Sequence, residues 1–278
     1  MRAIPVFMYH HINWHAGDLV TLTPEDFENH LRVLSRRNFR TLFLDELVHL
    51  LRRKEPPTQP SVSLTFDDGH LDNWVYAFPL LQKYRMKATI FVVTSWMGEG
   101  EKRTPATPGS QGNPSPVPRH GEAKKRAAAG DLSVGLSWEE GRAMEASGLV
   151  DIQSHTHLHR DYFLPGKKIS QLDPTQKDLL TEDLSRSQEL IGERLGKRCR
   201  YLSWPWGKYD SGAVSLAKEL GFEAMVTTEK GVNFPGSDET AIKRIVAKSG
   251  DEGWFSTRLT IYSHRALGYV YSRIAGKI

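Results

Sequence analysis

A single cysteine, Cys199, stands in the 278 residues, which excludes an internal disulfide framework and any zinc cage built from cysteines. No run of ~18 apolar residues is present, so a transmembrane helix is not expected. Charge of one sign is scarce as well. The 37 Lys and Arg against 33 Asp and Glu leave a formal net charge of +4, scattered along the chain. A nucleic-acid binder would gather its basic residues into a stripe, so no nucleic-acid partner is expected. The first residues, Met1 to Tyr9, lack a polar n-region and a cleavage site, and read as a strand over Ile4–Tyr9 instead of a signal peptide. With 39% hydrophobic and 25% charged residues, the chain is neither disordered nor fibrous, and it is long enough to bury a sizeable core. It shows no internal repeat.

Histidine, by contrast, is plentiful. There are 11, gathered at His10, His11 and His15 and again at His155, His157 and His159. Imidazole is the commonest metal ligand and the usual acid–base group near neutral pH. One such side chain is most often surface decoration, but three at alternate positions ask for a reason.

Strand and helix signals alternate along the chain. Strands are read at Phe39–Leu44, Ser61–Phe66, Ala88–Val93, Val150–Gln153, Tyr201–Trp204, Ala224–Thr227 and Ile242–Ala247. Thr23-Pro24-Glu25-Asp26 opens a helix, Asp45 is read as the cap of another, and a third spans Asn73–Tyr84. Ser137 caps a helix over Trp138–Ala146, Asp173-Pro174 opens a long one to Leu195, and Gly212–Leu220 is the last. This alternation predicts an α/β fold with a parallel sheet wrapped by helices, and seven or eight strands favour a barrel over an open sheet. One stretch breaks the pattern. Residues 98–135 hold Pro105, Pro108, Pro114, Pro116, Pro118 and the run Lys124-Lys125-Arg126, with almost no large apolar side chain, and read as a mobile insertion within one domain.

Two segments carry chemistry. Thr65-Phe66-Asp67-Asp68-Gly69 ends a buried strand, at the sheet edge where active sites collect. Adjacent carboxylates repel each other there unless a cation relieves them. Ser154 to His159 follows another strand. As a helix it would set His155 and His159 one turn apart on one face with His157 pointing elsewhere; as an extended segment it would put all three on one face. Two His and one Asp leave a coordination position open, which is the habit of a catalytic metal.

The first segment, followed by His155-Thr156 and His159, resembles the polysaccharide deacetylases, the carbohydrate esterase family 4 with the NodB homology domain, and the likeness extends through Leu202-Ser203-Trp204-Pro205-Trp206-Gly207. The resemblance implies a distorted (β/α) barrel of about seven parallel strands, one domain over residues 1–278. It implies that Asp67 is the general base and that Asp68, His155 and His159 hold one divalent metal ion. Such a donor set suits zinc, cobalt, nickel or iron alike. Pro205 and Trp206 would line the site, with Trp204, Tyr209 and Trp74 as further faces for sugar rings.

Two features depart from the family pattern. Its third motif carries an Arg two positions before the Pro, where this chain has Ser203; Arg244 is the candidate to steady Asp67 instead. Its catalytic histidine lies near the C-terminus, whereas here the best candidate general acid is His10, behind Tyr9 on the first strand, with His264 as rival and His11 third. A Tyr-His near the start, with Leu136-Ser137-Trp138-Glu139-Glu140, resembles the circularly permuted branch: the intercellular adhesin deacetylases that act on poly-β-1,6-N-acetyl-D-glucosamine in Gram-positive biofilms. That branch implies an N-deacetylase releasing acetate from an exopolysaccharide, extracellular or at the cell surface; a monomer is expected. Trp96-Met97-Gly98 is a candidate contact with membrane or polymer. The alternatives are deacetylation of peptidoglycan, chitin-type or O-acetylated glycans and, in a different class, a non-catalytic glycan-binding surface protein, which loss of the third-motif Arg would suit.

Overall fold

The computed structural model describes residues 2–15, 17–107, 114–163, 174–248 and 252–275. Its centre is a parallel sheet of short, buried strands. In chain order these are β1 (Val6–Tyr9), β4 (Arg40–Leu42), β5 (Ser61–Phe66), β6 (Ala88–Val92), β7 (Val150–Ser154), β8 (Tyr201–Ser203), β9 (Ala224–Val226) and β10 (Ile245–Val246). A separate pair, β2 (His11–Ile12) and β3 (Thr21–Leu22), continues from β1. The sheet runs β10-β1-β5-β6-β7-β8-β9, with β4 beside the first half of β5.

The ring is closed by one stretch of chain. Ile242 donates to the carbonyl of Met225 and accepts from Thr227 N, while Ile245 and Val246, three residues on, pair with β1. The same backbone thus touches β9 on one side and β1 on the other. Seven strands make the ring, the barrel that the resemblance implies.

Alternation along the strands sorts the core into two sets. Val6, Phe91, Tyr201, Ala224 and Val226 join Leu44, Leu47, Val48 and Leu51 of helix α2 (Leu44–Arg53) in one cluster, while Phe7, Ile90, Val92, Leu202 and Met225 pack in the larger one, with the surrounding helices. Those helices are α1 (Pro24–Arg36), α3 (Phe78–Tyr84), α4 (His120–Ala128), α5 (Trp138–Ala146), α6 (Pro174–Leu195), α7 (Ser211–Glu219), α8 (Glu252–Tyr262) and α9 (Arg265–Ala275). None of the described helices is long and apolar enough to cross a membrane.

Most element starts follow the local chemistry. Thr23 Oγ1 accepts from Asp26 N at 3.0 Å, and Ser137 and Glu140 exchange bonds in a capping box. The strand read at Phe39–Leu44 is shorter than expected, because α2 already begins at Leu44. Asp45 consequently lies in the first turn of α2 and not at its cap, and the Glu46 carboxylate accepts from Phe43 N at 3.0 Å. The helix read over Asn73–Tyr84 starts as a π-helical turn, Asn73–Ala77, before α3. Pro79 cannot donate, and the ladder widens just upstream of it. Asp173, read as the cap of α6, lies outside the described residues. Helices α4, α8 and α9 and the β2–β3 pair are not among the elements read from the sequence.

Within 98–135, residues 108–113 lie outside the described ones. The remainder is tied to the barrel. Arg103 donates to both carboxylate oxygens of fully buried Glu140, Nε to Oε1 at 2.8 Å, and its carbonyl accepts from Trp74 Nε1 at 2.7 Å. Ala123, Ala127 and Val134 form a small cluster against Trp96. Removing one partner of a buried ion pair strands the other charge. Arg103→Ala should therefore lower the unfolding free energy by roughly 3 kcal/mol, read as a shift of the urea midpoint.

His30 offers a second check. It is buried on α1 between Tyr9, whose hydroxyl lies 3.1 Å from Nδ1, and the face of Phe255. Burial pushes its pKa down from 6.5 to about 3. Between those values the unfolded chain binds a proton that the folded chain refuses, so stability rises with pH across that window and is lost as pH falls from 6.5. His30→Leu should flatten the dependence of unfolding free energy on pH between 6 and 4 by up to ~1.4 kcal/mol per pH unit. An unchanged slope in denaturant titrations would show that His30 is not the group responsible.

Candidate active site

The predicted residues meet at the C-terminal edge of the sheet. Asp67 N donates to Tyr9 O at 2.9 Å, which locks the end of β5 to the end of β1 and sets Asp67 beside His10. Asp68 and Gly69 both have positive φ, 74° each. Gly69 has no alternative, since a Cβ there would stand 2.8 Å from Val92 Cγ1. This sharp turn sends the two adjacent carboxylates to different partners.

Asp67 belongs to Arg244. The guanidinium is buried and forks onto the carboxylate, Nη1 to Oδ1 and Nη2 to Oδ2, each at 2.7 Å. Its other N–H groups reach Thr65 Oγ1 at 3.3 Å, Ser203 Oγ at 3.0 Å and Thr227 O at 2.8 Å, so all five donors have an acceptor. Ser203 stands where the family carries its Arg, and its small side chain leaves room for a guanidinium arriving from the opposite edge. Burial alone would raise the Asp67 pKa, but the charges of Arg244 and His155 outweigh it and hold the carboxyl below the usual range.

Asp68 belongs to histidines. His155 Nε2 and His159 Nε2 each lie 3.4 Å from Oδ1, and His70 Nε2 lies 3.1 Å from Oδ2. The ligand atoms of Asp68, His155 and His159 all fall within 4.8 Å of one another. The helical reading of 155–159 does not hold. The segment is a loop in which Thr156 and His159 take positive φ, 68° and 52°, and these two left-handed residues fold His159 back until its ring centroid is 4.9 Å from that of His155. The helix is prevented by competing bonds. Asp183 on α6 accepts from His157 N and Leu158 N, and Thr156 Oγ1 accepts from His159 N. His157 turns away, its Nδ1 2.9 Å from Thr94 Oγ1.

This set fits a divalent transition ion. His155 Nδ1 lies 2.8 Å from the carbonyl of Ser203; donation there fixes the tautomer that leaves Nε2 free to ligate, and such outer-shell support is the rule at metal histidines. Burial and the neighbouring His155 lower the His159 pKa to about 3, so its ring is neutral and can bind a metal. Asp68 is held ionised against burial by its bonds to His155 and His70.

His10 is half-buried, and the charges of both carboxylates act on it. Burial lowers its pKa, while Asp68 and Asp67 act in the opposite direction. Its carbonyl accepts from Asn73 Nδ2 at 2.7 Å. The two rival histidines are placed elsewhere. His264 bridges to Arg2, at the other end of β1, and its Nδ1 lies against Thr260 O. His11 points into a pair with Asp72, 2.6 Å away.

The aromatic residues divide. Trp206 is 49% exposed, takes positive φ, and sets its ring edge-on to His159 at 4.4 Å. Gly207 behind it cannot carry a Cβ, which would meet Thr228 Oγ1 at 2.0 Å. Tyr209 is half-buried and donates to Glu229. Trp204 is not the sugar platform that the sequence offered, since it is 1% exposed and stacks beneath Tyr209. Pro205 and Trp74 are buried as well. Of the stretch read as a membrane contact, Met97 is buried and Trp96 lies against His159 at 5.3 Å, so this segment turns toward the site. The sequence reading missed His70, Asn73 and Asp183. Only Asp183 left a trace, as a carboxylate on the apolar stripe of Leu180, Leu184 and Ile191.

With the geometry in hand, the chain can be set beside known proteins. Residues 54–225, more than half of it, match the family described as Polysaccharide deacetylase. The chain belongs to that family, hydrolases that remove acetyl groups from polysaccharide. The poly-beta-1,6-N-acetyl-D-glucosamine N-deacetylase of Staphylococcus epidermidis is 25% identical over 232 residues, 82% of this chain and 68% of that protein. Two solved structures share the fold. The Streptococcus pyogenes deacetylase PplD, in complex with acetate, superposes with a TM-score of 0.72 at 22% identity, covering 94% of this chain and 98% of that one. IcaB from Ammonifex degensii also gives 0.72, at 23% identity, covering 93% and 97%.

Arg244 is the residue whose loss the geometry makes most costly. Arg244→Ala leaves Asp67 charged and buried without its partner and should cost about 3–5 kcal/mol of unfolding free energy. Arg244→Lys keeps the charge but loses the fork, and should fall between the two in denaturant titrations. A wild-type midpoint for Arg244→Ala would show that the pair is dispensable.

Proposed function

We propose that the protein is a metal-dependent N-deacetylase of poly-β-1,6-N-acetyl-D-glucosamine, acting outside the membrane on a biofilm exopolysaccharide and releasing acetate. The observation that carries this reading is the pairing of two sets on one sheet edge: Asp68, His155 and His159 as a ligand group, and Asp67 in the fork of Arg244, with His10 on the neighbouring strand end where the Asp67 charge acts on it. The choice of polymer is supported by the name of the staphylococcal relative. An exopolysaccharide lies outside the membrane, which is the ground for an outside location.

Asp68, His155 and His159 would hold one ion, zinc, cobalt, nickel or iron, and once bound it would supply Lewis acidity toward water and the acetamide carbonyl. The chain's own residues do the rest. Asp67, held ionised by Arg244, accepts the proton of the attacking water. His10 gives a proton to the departing amine, which would otherwise leave as a very poor leaving group. A backbone N–H near Trp206 steadies the developing oxyanion, and the exposed ring of Trp206 and the edge of Tyr209 receive the sugar. The glycan-binding alternative drew its support from the missing third-motif Arg, and Arg244 meets that need from the segment leading into β10.

Acetate release from a β-1,6-linked N-acetylglucosamine oligomer, with and without a chelator, tests the reading; chitin and peptidoglycan fragments serve as controls. Activity insensitive to chelation, or confined to the controls, overturns it. Asp68→Ala, His155→Ala and His159→Ala should each lose the ion by plasma emission, whereas His157→Ala should keep it. Asp67→Asn should bind metal and lose turnover. His10→Ala should cut turnover on N-acetyl substrates by ~10²–10⁴-fold at nearly unchanged metal affinity, and by much less on an activated aryl ester, whose leaving group needs no proton. If His264→Ala shows that contrast instead, His10 is not the acid.

A further inference from the structure

A second group of three histidines reaches the other oxygen of Asp68 through one member, His70. His11 from β2, His70 from the turn after β5 and His120 at the start of α4 each place a ring nitrogen within 4.8 Å of the other two. His11 and His70 are buried, and His120 is half-buried at the surface. His11 Nε2 lies 3.1 Å from His120 Nδ1, and the rings of His11 and His70 stack with centroids 3.7 Å apart. Behind His11 stands Asp72, whose Oδ2 is 2.6 Å from His11 Nδ1 and also accepts from Asn13 Nδ2 at 2.6 Å. A carboxylate on Nδ1–H sets the tautomer whose Nε2 lone pair points into the cluster, the same device that orients imidazoles at metal centres. The deacetylation reading places none of these three histidines on the ion or in a proton transfer.

We propose that His11, His70 and His120 form a second metal site, distinct from the Asp68–His155–His159 set. Its imidazole donors select zinc, cobalt, nickel or copper over magnesium and calcium. Three ligands leave a fourth, tetrahedral position for water. Lone pairs of imidazole lie in the ring plane, so the stacked rings of His11 and His70 must splay to meet one ion. That cost makes this the weaker of the two sites. His70 Nε2 is 3.1 Å from Asp68 Oδ2, whereas His155 and His159 approach Oδ1, so the two sites share Asp68 and are coupled through it.

The full chain, stripped of metal and titrated with zinc in equilibrium dialysis, decides the matter without reference to activity. Wild type should take two ions per chain, the second more weakly. His120→Ala changes a half-buried side chain at a helix start and should keep the tight ion while losing the weak one; His120→Gln should behave alike, and melting curves check that both are folded. His155→Ala should lose the tight ion. One ion per chain in wild type overturns the proposal, as do two ions in both His120 variants or loss of the tight ion in them. The deacetylase reading stands on the ion that His155→Ala removes, and it survives a single ion in wild type or two ions in the His120 variants.

Discussion

The Arg244–Asp67 pair is the constraint around which the barrel and its site are arranged. A guanidinium and a carboxylate removed from water each carry a desolvation penalty of several kcal/mol, which only good geometry and full hydrogen bonding offset. Here the fork is bidentate and the remaining N–H groups end on Thr65, Ser203 and Thr227. Those acceptors come from β5, β8 and the end of β9, while the Arg itself leads into β10. One side chain therefore ties together strands from across the ring, at the point where residues 242–246 bridge β9 to β1. Closure of the barrel and ionisation of Asp67 are two results of the same contact.

Around that anchor, backbone strain is concentrated where side chains must be aimed. Asp68, Thr156, His159 and Trp206 are non-glycine residues with positive φ, and all four stand at the site. Left-handed backbone is costly for such residues and persists only where the surroundings enforce it. The enforcement can be named: Val92 behind Gly69, Asp183 holding the loop after His155, and Thr228 behind Gly207. The π-helical turn after Asp72 belongs with these, since it widens the backbone where Asn73 reaches back to the carbonyl of His10.

The strands and most helix starts were legible because they are local matters. Buried parallel strands write apolar runs, Thr23 and Ser137 cap helices through bonds within three residues, and Pro24 fits the first helical turn. Helices α4 and α8 were illegible for the complementary reason: α4 carries little apolar surface, and α8 has no one-sided stripe. Asp67, Asp68, His155 and His159 could be singled out from their spacing, but the helical explanation of that spacing failed, because bonds from α6, far along the chain, decide the conformation of 155–159. Trp204 and Trp206 are two residues apart and chemically identical. Only the packing of Tyr209 over one and the left-handed turn at the other separate a core residue from an exposed ring.

What the sequence by itself determined is the inventory: a parallel α/β architecture, two carboxylates at a strand end, and a histidine-rich loop. Periodicity, capping and turn chemistry act over a few residues, and a reader of the chain can follow them. The tertiary structure decided the pairings: Arg244 with Asp67 across 177 positions, His11 with Asp72 and His120, and Asp183 with the loop it shapes. Desolvated charges choose partners by proximity in the fold, and closing a ring of strands creates that proximity between residues that share no neighbourhood in the chain.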